Sequence, residues 1–175
     1  MNRISIIIPV LNEAKTIGVL LDYLVQNSKD TLISEILVVD GGSTDGSQKI
    51  VSELSKTHPK IIGLNSHKGR AKQMNFGASQ SKGSVLYFLH ADSIPPKNFD
   101  QYILEAIDTG IKTGCFRMKF DSSHWWLQLA GWFTQFNWQS CRGGDQSLFI
   151  EKTAFETIGG FNEDFVIYED NDLIY

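Results

Sequence analysis

The sequence predicts an α/β fold: a mostly parallel central sheet with helices on both faces and a small antiparallel extension in the second half. Three observations predict it. Continuous apolar runs of strand length, ISIII, EILVV and VLYFL, read as strands buried on both faces. They alternate with amphipathic stretches of helix length, the pattern that right-handed crossovers onto a parallel sheet require. Each run also gives way to polar residues: Asn12 and Glu13, then Asp40, then His90 and Asp92. Such strand ends are where open α/β sheets gather their ligands.

Ile4 to Val10 forms the first strand, which stops at Pro9. Asn12 is then expected to cap a helix whose apolar positions Ile17, Leu20, Leu21 and Leu24 fall at helical spacing. Glu35 to Asp40 repeats the pattern, followed by the turn Gly41-Gly42-Ser43-Thr44-Asp45-Gly46 and a helix carrying Ile50, Val51 and Leu54. Ile61 to Asn65 is a short third strand. A helix from about Arg70 to Gln80 turns Ala71, Met74 and Ala78 to the core and keeps Arg70, Lys72 and Gln73 near its exposed start. Ser84 to Leu89 is the fourth strand.

After Pro95 and Pro96, the residues Phe99, Tyr102, Ile103, Ala106 and Ile107 mark another amphipathic helix. From Thr113 to Phe120, Cys115, Arg117 and Lys119 alternate with Phe116, Met118 and Phe120, as expected of a half-exposed antiparallel or edge strand. The stretch HWWLQLAGWFTQFNWQ holds Trp125, Trp126, Trp132 and Trp138 and is expected to be helical, apolar on more than one side. Ser147 to Ile150 reads as a strand, and Thr153 to Ile158 as a short helix ending at Gly159 and Gly160.

The 175 residues suit one domain, 1–175, whose grammar changes near Pro95 into two functional halves, 1–94 and 95–175. Hydrophobic residues at 42% and charged residues at 21% exclude a disordered chain. A net charge of -4, with Lys68, Arg70 and Lys72 as only a local basic cluster, gives no footprint for nucleic acid. Cys115 and Cys141, expected to be partly buried thiols, form neither a disulfide framework nor a metal spacing, which places the chain in a reducing cytosol. The first ten residues lack the features of a signal peptide, and no apolar run approaches the ~20 residues of a membrane span. The expected location is cytoplasmic, with attachment to the inner face of a membrane as the other reading.

Pro9, Asn12 and Glu13 lie just past the first strand, and Asp40, Ser43 and Asp45 at and past the second. Adjacent parallel strands bring them together. A carboxylate there accepts hydrogen bonds from a base N–H or ribose hydroxyl, and the glycines let backbone approach a ligand. The alternative is that Asn12, Ser43 and Asp45 are turn and capping residues only. Both GxGxxG after the first strand and GxxxxGK[ST] are missing. Arg70 and Gln73, with Lys72 and Asn75, follow a glycine at a helix start, where a guanidinium and a helix N-terminus can meet phosphate. Mg2+ and Mn2+ are often held by one or two carboxylates plus substrate phosphates, so Asp92, with His90, suffices as an anchor. The competing reading makes Asp92 a helix cap before Pro95. Asp145, in RGGDQSLF, either lines a pocket or closes a turn. Glu169, Asp170 and Asp172 are close-set carboxylates; mutual repulsion raises the proton affinity of one and suits a general base.

Taken together, ISIIIPVLNE, ILVVDGGSTDGS, YFLHADS, GDQSLFI, GGFNE and YEDNDL, in this order, resemble a family 2 glycosyltransferase of the GT-A fold. HADS with GRAKQMNFGA is similar to a bacterial subgroup of that family. The resemblance implies transfer of a sugar from a nucleotide-diphosphate donor to an acceptor hydroxyl, with inversion. It implies that Pro9, Asn12, Glu13 and Asp40 contact the donor nucleoside, with Ser43 and Asp45 in the adjoining turn. Asp92 matches the last aspartate of the DxD metal motif, Asp145 a position near sugar and acceptor, and Asp170 the catalytic base. His90 stands in place of the first DxD aspartate and brings no negative charge, so a weaker or water-mediated Mn2+ or Mg2+ site is expected. The chain stops just after the acidic pair, where the family pattern continues, and is expected to be short on its acceptor side. A lipid-linked or membrane-proximal acceptor would suit the tryptophan-rich stretch. The alternatives are a non-catalytic sugar-nucleotide-binding or partner-docking module and a nucleotidyltransferase. The intact Glu169-Asp170 pair argues against the first, and PVLNEAKT, which is not a glycine-rich basic loop, against the second.

Overall fold

The computed structural model of the chain describes residues 2–116 and 147–163. Their order is β1 (Ile4–Val10), α1 (Ile17–Asn27), β2 (Ile33–Asp40), α2 (Ser47–Thr57), β3 (Ile61–Asn65), α3 (Arg70–Gln80), β4 (Val85–Phe88), α4 (Phe99–Asp108), β5 (Thr113–Cys115), β6 (Leu148–Glu151) and α5 (Lys152–Thr157). The strands form one six-stranded sheet in the order β3-β2-β1-β4-β6-β5. β3, β2, β1 and β4 run parallel, whereas β6 is antiparallel to β4 and β5 antiparallel to β6 at the edge.

The alternation of β1 divides its side chains between two cores. Ile4, Ile6, Ile8 and Val10 pack with Leu20, Leu21 and Leu24 of α1, Val51 of α2 and Ile103 of α4. Ile7 turns to the other face with Leu37, Val39, Met74 of α3 and Phe155 of α5. Full burial of each such aliphatic side chain contributes roughly 1.5–3 kcal/mol of transfer free energy, enough to hold each helix on its face of the sheet. The antiparallel extension is tied in by a polar bond as well: the Tyr87 hydroxyl of β4 donates to Ser147 at 3.0 Å, just before β6. Burial pushes that phenol well above its ordinary range.

Among the described residues the element expectations hold closely, with α3 spanning the expected Arg70 to Gln80, while residues 117–120 of the expected edge strand lie outside them. Four details differ. Tyr102 is exposed, and the inward position of α4 beside it belongs to Asp100, whose carboxylate accepts the Lys29 N–H at 2.7 Å and the Gln101 N–H at 2.9 Å. Cys115 is exposed rather than partly buried, because β5 is an edge strand. Asn12 does not cap α1: it has φ of 59° and its carboxamide oxygen serves another loop, while the helix starts after Thr16. Asp92 does not cap α4 either, since Asn98 holds that position. The expected tryptophan-rich helix and Cys141 lie outside the described residues.

Candidate active site

The carboxyl ends of β1 and β2 are level, with Val10 paired to Asp40, and the loops that leave them are stitched together. The Asn12 N–H donates to the Ser43 hydroxyl at 2.8 Å, and the Thr44 N–H donates to the Asn12 carboxamide oxygen at 2.8 Å. Glu13 N–H donates to the Ser47 hydroxyl at 2.9 Å, and Ala14 N–H to an Asp45 carboxylate oxygen at 2.8 Å. The Ser47 hydroxyl in turn donates to the other Asp45 oxygen at 2.6 Å. Asn12, Ser43 and Asp45 thus use their side chains on each other's loops. The Asp45 carboxyl is held below its usual range by the Ser47 hydroxyl and the Ala14 N–H. Glu13 accepts from the Thr16 hydroxyl at 2.9 Å, and half-buried Pro9 pairs with Val39 across the strands.

Asp40 is the buried acid of this rim, 5% exposed. One carboxylate oxygen, Oδ2, accepts the Gly42 and Ser43 N–H groups, each at 2.9 Å, and the Gln48 side-chain amide at 2.6 Å. Oδ1 is buried and has no partner. Burial works to raise the carboxyl pKa, but the Ser43 hydroxyl, the Gln48 amide and the two N–H groups together hold it below its ordinary value. Asp40 lies on the wall of a cleft of about 610 Å³ between α2 and β3, alongside Val10, Gln48, Val51, Gly63 and Asn65, with Oδ1 itself buried.

Gln73 departs from its expected position. It is buried, 3% exposed, and its amide nitrogen donates to the Val10 carbonyl at 2.9 Å and the Val39 carbonyl at 2.7 Å. The side chain pins the ends of β1 and β2 from the α3 face instead of standing at the exposed helix start. Gly41 makes room for it, because a Cβ there would lie 2.9 Å from the Gln73 carboxamide oxygen. Arg70 is half-buried at the start of α3.

β4 leaves the sheet beside β1, where Leu89 N–H donates to the Ile7 carbonyl at 3.0 Å. His90, half-buried, and Asp92, exposed, follow at the same sheet edge as Asp40. The turn is closed by Ser93 N–H donating to the His90 carbonyl at 3.1 Å. Among the described residues, no three His, Cys, Asp or Glu side chains cluster tightly enough to hold a metal by themselves. Asp145, Glu169, Asp170 and Asp172 lie outside the described residues. Ser47 and Gln48, which sequence reasoning passed over, belong to the site; the only signal for them is their place in the first turn after GGSTDG.

The sequence pattern described as Glycosyl transferase family 2 matches residues 5–161, and the chain belongs to that family. It is 33% identical over 113 residues to the glycosyltransferase AglE of Haloferax volcanii, covering 63% of this chain and 36% of AglE. The mannosyltransferase PcManGT of Pyrobaculum calidifontis, solved with GDP-Man and Mn2+, superposes with a TM-score of 0.75 at 21% identity over 98% of this chain and 50% of that one. TarS of S. aureus, solved with UDP-GlcNAc, superposes with a TM-score of 0.73 at 20% identity over 98% of this chain and 52% of its own. The two superpositions show the GT-A fold. The chain spans between about a third and half of the length of these proteins.

Proposed function

We propose that the protein is a nucleotide-sugar glycosyltransferase that moves a sugar to an acceptor hydroxyl with inversion, in one domain with a donor half, 1–94, and an acceptor half, 95–175. The observation that carries this reading is the unpartnered Oδ1 of Asp40, a buried charged acceptor beside a cleft at the carboxyl edge of the sheet. A base N–H is the natural donor to such an atom. Pro9 and Glu13 line the nucleoside side of the rim, while Asn12, Ser43 and Asp45 serve by locking the two loops that frame it. Gln73 serves by holding the strand ends beneath. Arg70, with the start of α3, meets the diphosphate.

His90 and Asp92 offer one imidazole and one carboxylate, a donor set that suits Mn2+ or Mg2+ when phosphate oxygens and water complete the shell. When bound, such an ion offsets the charge that develops on the departing diphosphate. Asp170 takes the proton of the acceptor hydroxyl as that oxygen bonds to the anomeric carbon and the bond to the nucleoside diphosphate breaks. By its match to the family pattern, Asp145 is assigned to the sugar and acceptor. A lipid-linked acceptor at the inner face of a membrane suits the tryptophan-rich stretch. No helix of the described residues is long and apolar enough to cross a membrane.

A thermal-shift screen of UDP- and GDP-sugars with Mn2+ tests the donor reading, because a ligand selective for the native state raises its apparent stability. At least one sugar nucleotide should raise Tm in the wild type and fail to do so in Asp40→Asn, which turns an N–H toward the base. No shift with any of them would count against the reading.

A further inference from the structure

Tyr23 stands outside the donor site described above, on the flank of α1, and its hydroxyl donates to the Pro95 carbonyl at 2.8 Å. That carbonyl belongs to the stretch 93–96, which joins the turn carrying His90 and Asp92 to α4. Ile94 and Pro96 are exposed and Ser93 is half-buried, so packing holds the stretch at Pro95, which is buried. Neither proline has an N–H to offer the fold, and a buried peptide carbonyl needs a donor, which Tyr23 supplies. α1 gives the hydroxyl a fixed base, because Leu20, Leu21 and Leu24, which share the helix with Tyr23, are fully buried.

The stretch is stiff as well as anchored. The pyrrolidine rings fix φ of Pro95 and Pro96 near about −65°, and each proline confines the residue before it, Ile94 and Pro95, to extended backbone. Asp92 is exposed, so its place is set by the backbone on either side. Before it, Ala91 is buried in the core shared with α1 and α4. After it, Ser93 N–H donates to the His90 carbonyl at 3.1 Å, which closes the turn at the point where the strut begins, and the Ser93 hydroxyl donates to the Asp92 carboxylate at 3.4 Å. At the far end, Phe99 N–H donates to the Pro96 carbonyl at 3.2 Å. Without the Tyr23 bond the strut can pivot on that last turn and carry Ser93 with it.

We propose that Tyr23 is a positioning residue for metal binding: by holding the Pro95 carbonyl it fixes the strut from Ser93 to Pro96 and, through the closed turn, the place of the Asp92 carboxylate. This rests on the reading above of His90 and Asp92 as the residues that hold Mn2+ or Mg2+. Two protein donors leave such a site little redundancy. Distances to a metal must be met within about 0.2 Å, so a drift of the turn shows in affinity. The bond also ties α1, which follows the loop of Asn12 and Glu13, to the turn after β4, so the nucleoside rim and the diphosphate side are gauged from one helix.

The test is Tyr23→Phe, which keeps the ring and removes only the hydroxyl, with Tyr102→Phe, at an exposed tyrosine of α4, as the control. Calorimetry with UDP and with GDP over a series of Mn2+ concentrations reads the metal site, and the same titrations in chelator read the nucleotide alone. Amide hydrogen exchange of the peptide holding Ser93 and Ile94 reads the turn. The inference predicts that Tyr23→Phe raises the Mn2+ concentration needed for half-maximal tightening by about three- to tenfold and speeds Ser93 exchange by about three- to tenfold, the scale of one lost hydrogen bond. Nucleotide affinity in chelator should stay within about twofold of wild type, and Tyr102→Phe should change none of the three. In an Asp92→Asn background Tyr23→Phe should weaken nucleotide binding no further, since it acts through that carboxylate. If Tyr23→Phe does not fold, Pro95→Gly, which keeps the carbonyl but slackens the strut, must give the same shift in Mn2+ requirement. An unchanged Mn2+ requirement, or equal loss of affinity with and without the metal, overturns the positioning role. Unchanged Ser93 exchange overturns the grip on the turn. A wild type whose nucleotide affinity ignores Mn2+ overturns the metal reading and the role of Tyr23 in it, while the exchange experiment still decides whether the hydroxyl holds the turn.

Discussion

The Gln48 side chain donates to Oδ2 of Asp40 at 2.6 Å from the first turn of α2, and in doing so helps saturate that oxygen while Oδ1 stays without a partner. The two oxygens of one carboxylate thereby differ: Oδ2 holds the turn after β2, and Oδ1 is buried without a partner.

This division predicts a pH dependence. The Asp40 pKa in the folded protein lies below its ordinary value of 3.8, so its stabilisation is complete above that value and is lost as pH falls through the folded-state pKa. The difference in Tm between wild type and Asp40→Asn should accordingly be largest near neutral pH and shrink toward pH ~3. Thermal melts across that range check it. A difference that grows as pH falls would reverse the sign of the assignment.

The stitched loops predict that Ser47 matters more than its chemistry suggests. Ser47→Ala leaves the Glu13 N–H without its acceptor and Asp45 without a hydroxyl donor. Urea unfolding should show a loss of about 1–3 kcal/mol, and nucleotide affinity should fall as the frame around Asp40 loosens.

Gln73 and Arg70 separate cleanly by experiment. Gln73→Ala strips a buried donor from the Val10 and Val39 carbonyls and should cost about 1–3 kcal/mol of stability. Arg70→Ala should weaken UDP and GDP binding. Equal loss of affinity from both substitutions, with no loss of stability from the first, would return Gln73 to the donor side.

At the end of β4, chelation of Mn2+ should weaken UDP or GDP binding by about tenfold in the wild type and have little effect in Asp92→Asn. His90→Asp supplies the missing charge and should strengthen the metal dependence. Calorimetric titrations with and without chelator distinguish these outcomes.

The fold was legible because its strands are continuous apolar runs, and a run such as ISIII can only be satisfied by burial on both faces. Asp40 was legible for the related reason that a carboxylate closing such a run needs either partners or a ligand, and Gly42, Ser43 and Gln48 supply partners to one of its oxygens. Gln73 was not. At the start of an amphipathic helix a glutamine reads as a solvated residue, and its burial follows from two carbonyls on β1 and β2 that are distant in sequence. Asn12 misled in the same way, since its carboxamide, expected to cap its own helix, serves Thr44 in the neighbouring loop. Ser47 and Gln48 carry no local signal that distinguishes them from an ordinary first turn. The Asn75 side chain finds its partners only when the Gly159-Gly160 corner brings Phe161 against α3.

The most direct measurement is release of nucleoside diphosphate from UDP- and GDP-sugars by the wild-type protein and by Asp170→Asn, with binding followed in parallel. The account predicts release by the wild type, and in the variant unchanged donor binding with turnover about 100-fold or more slower. Equal turnover by the two proteins, or release of pyrophosphate in place of the nucleoside diphosphate, would contradict it.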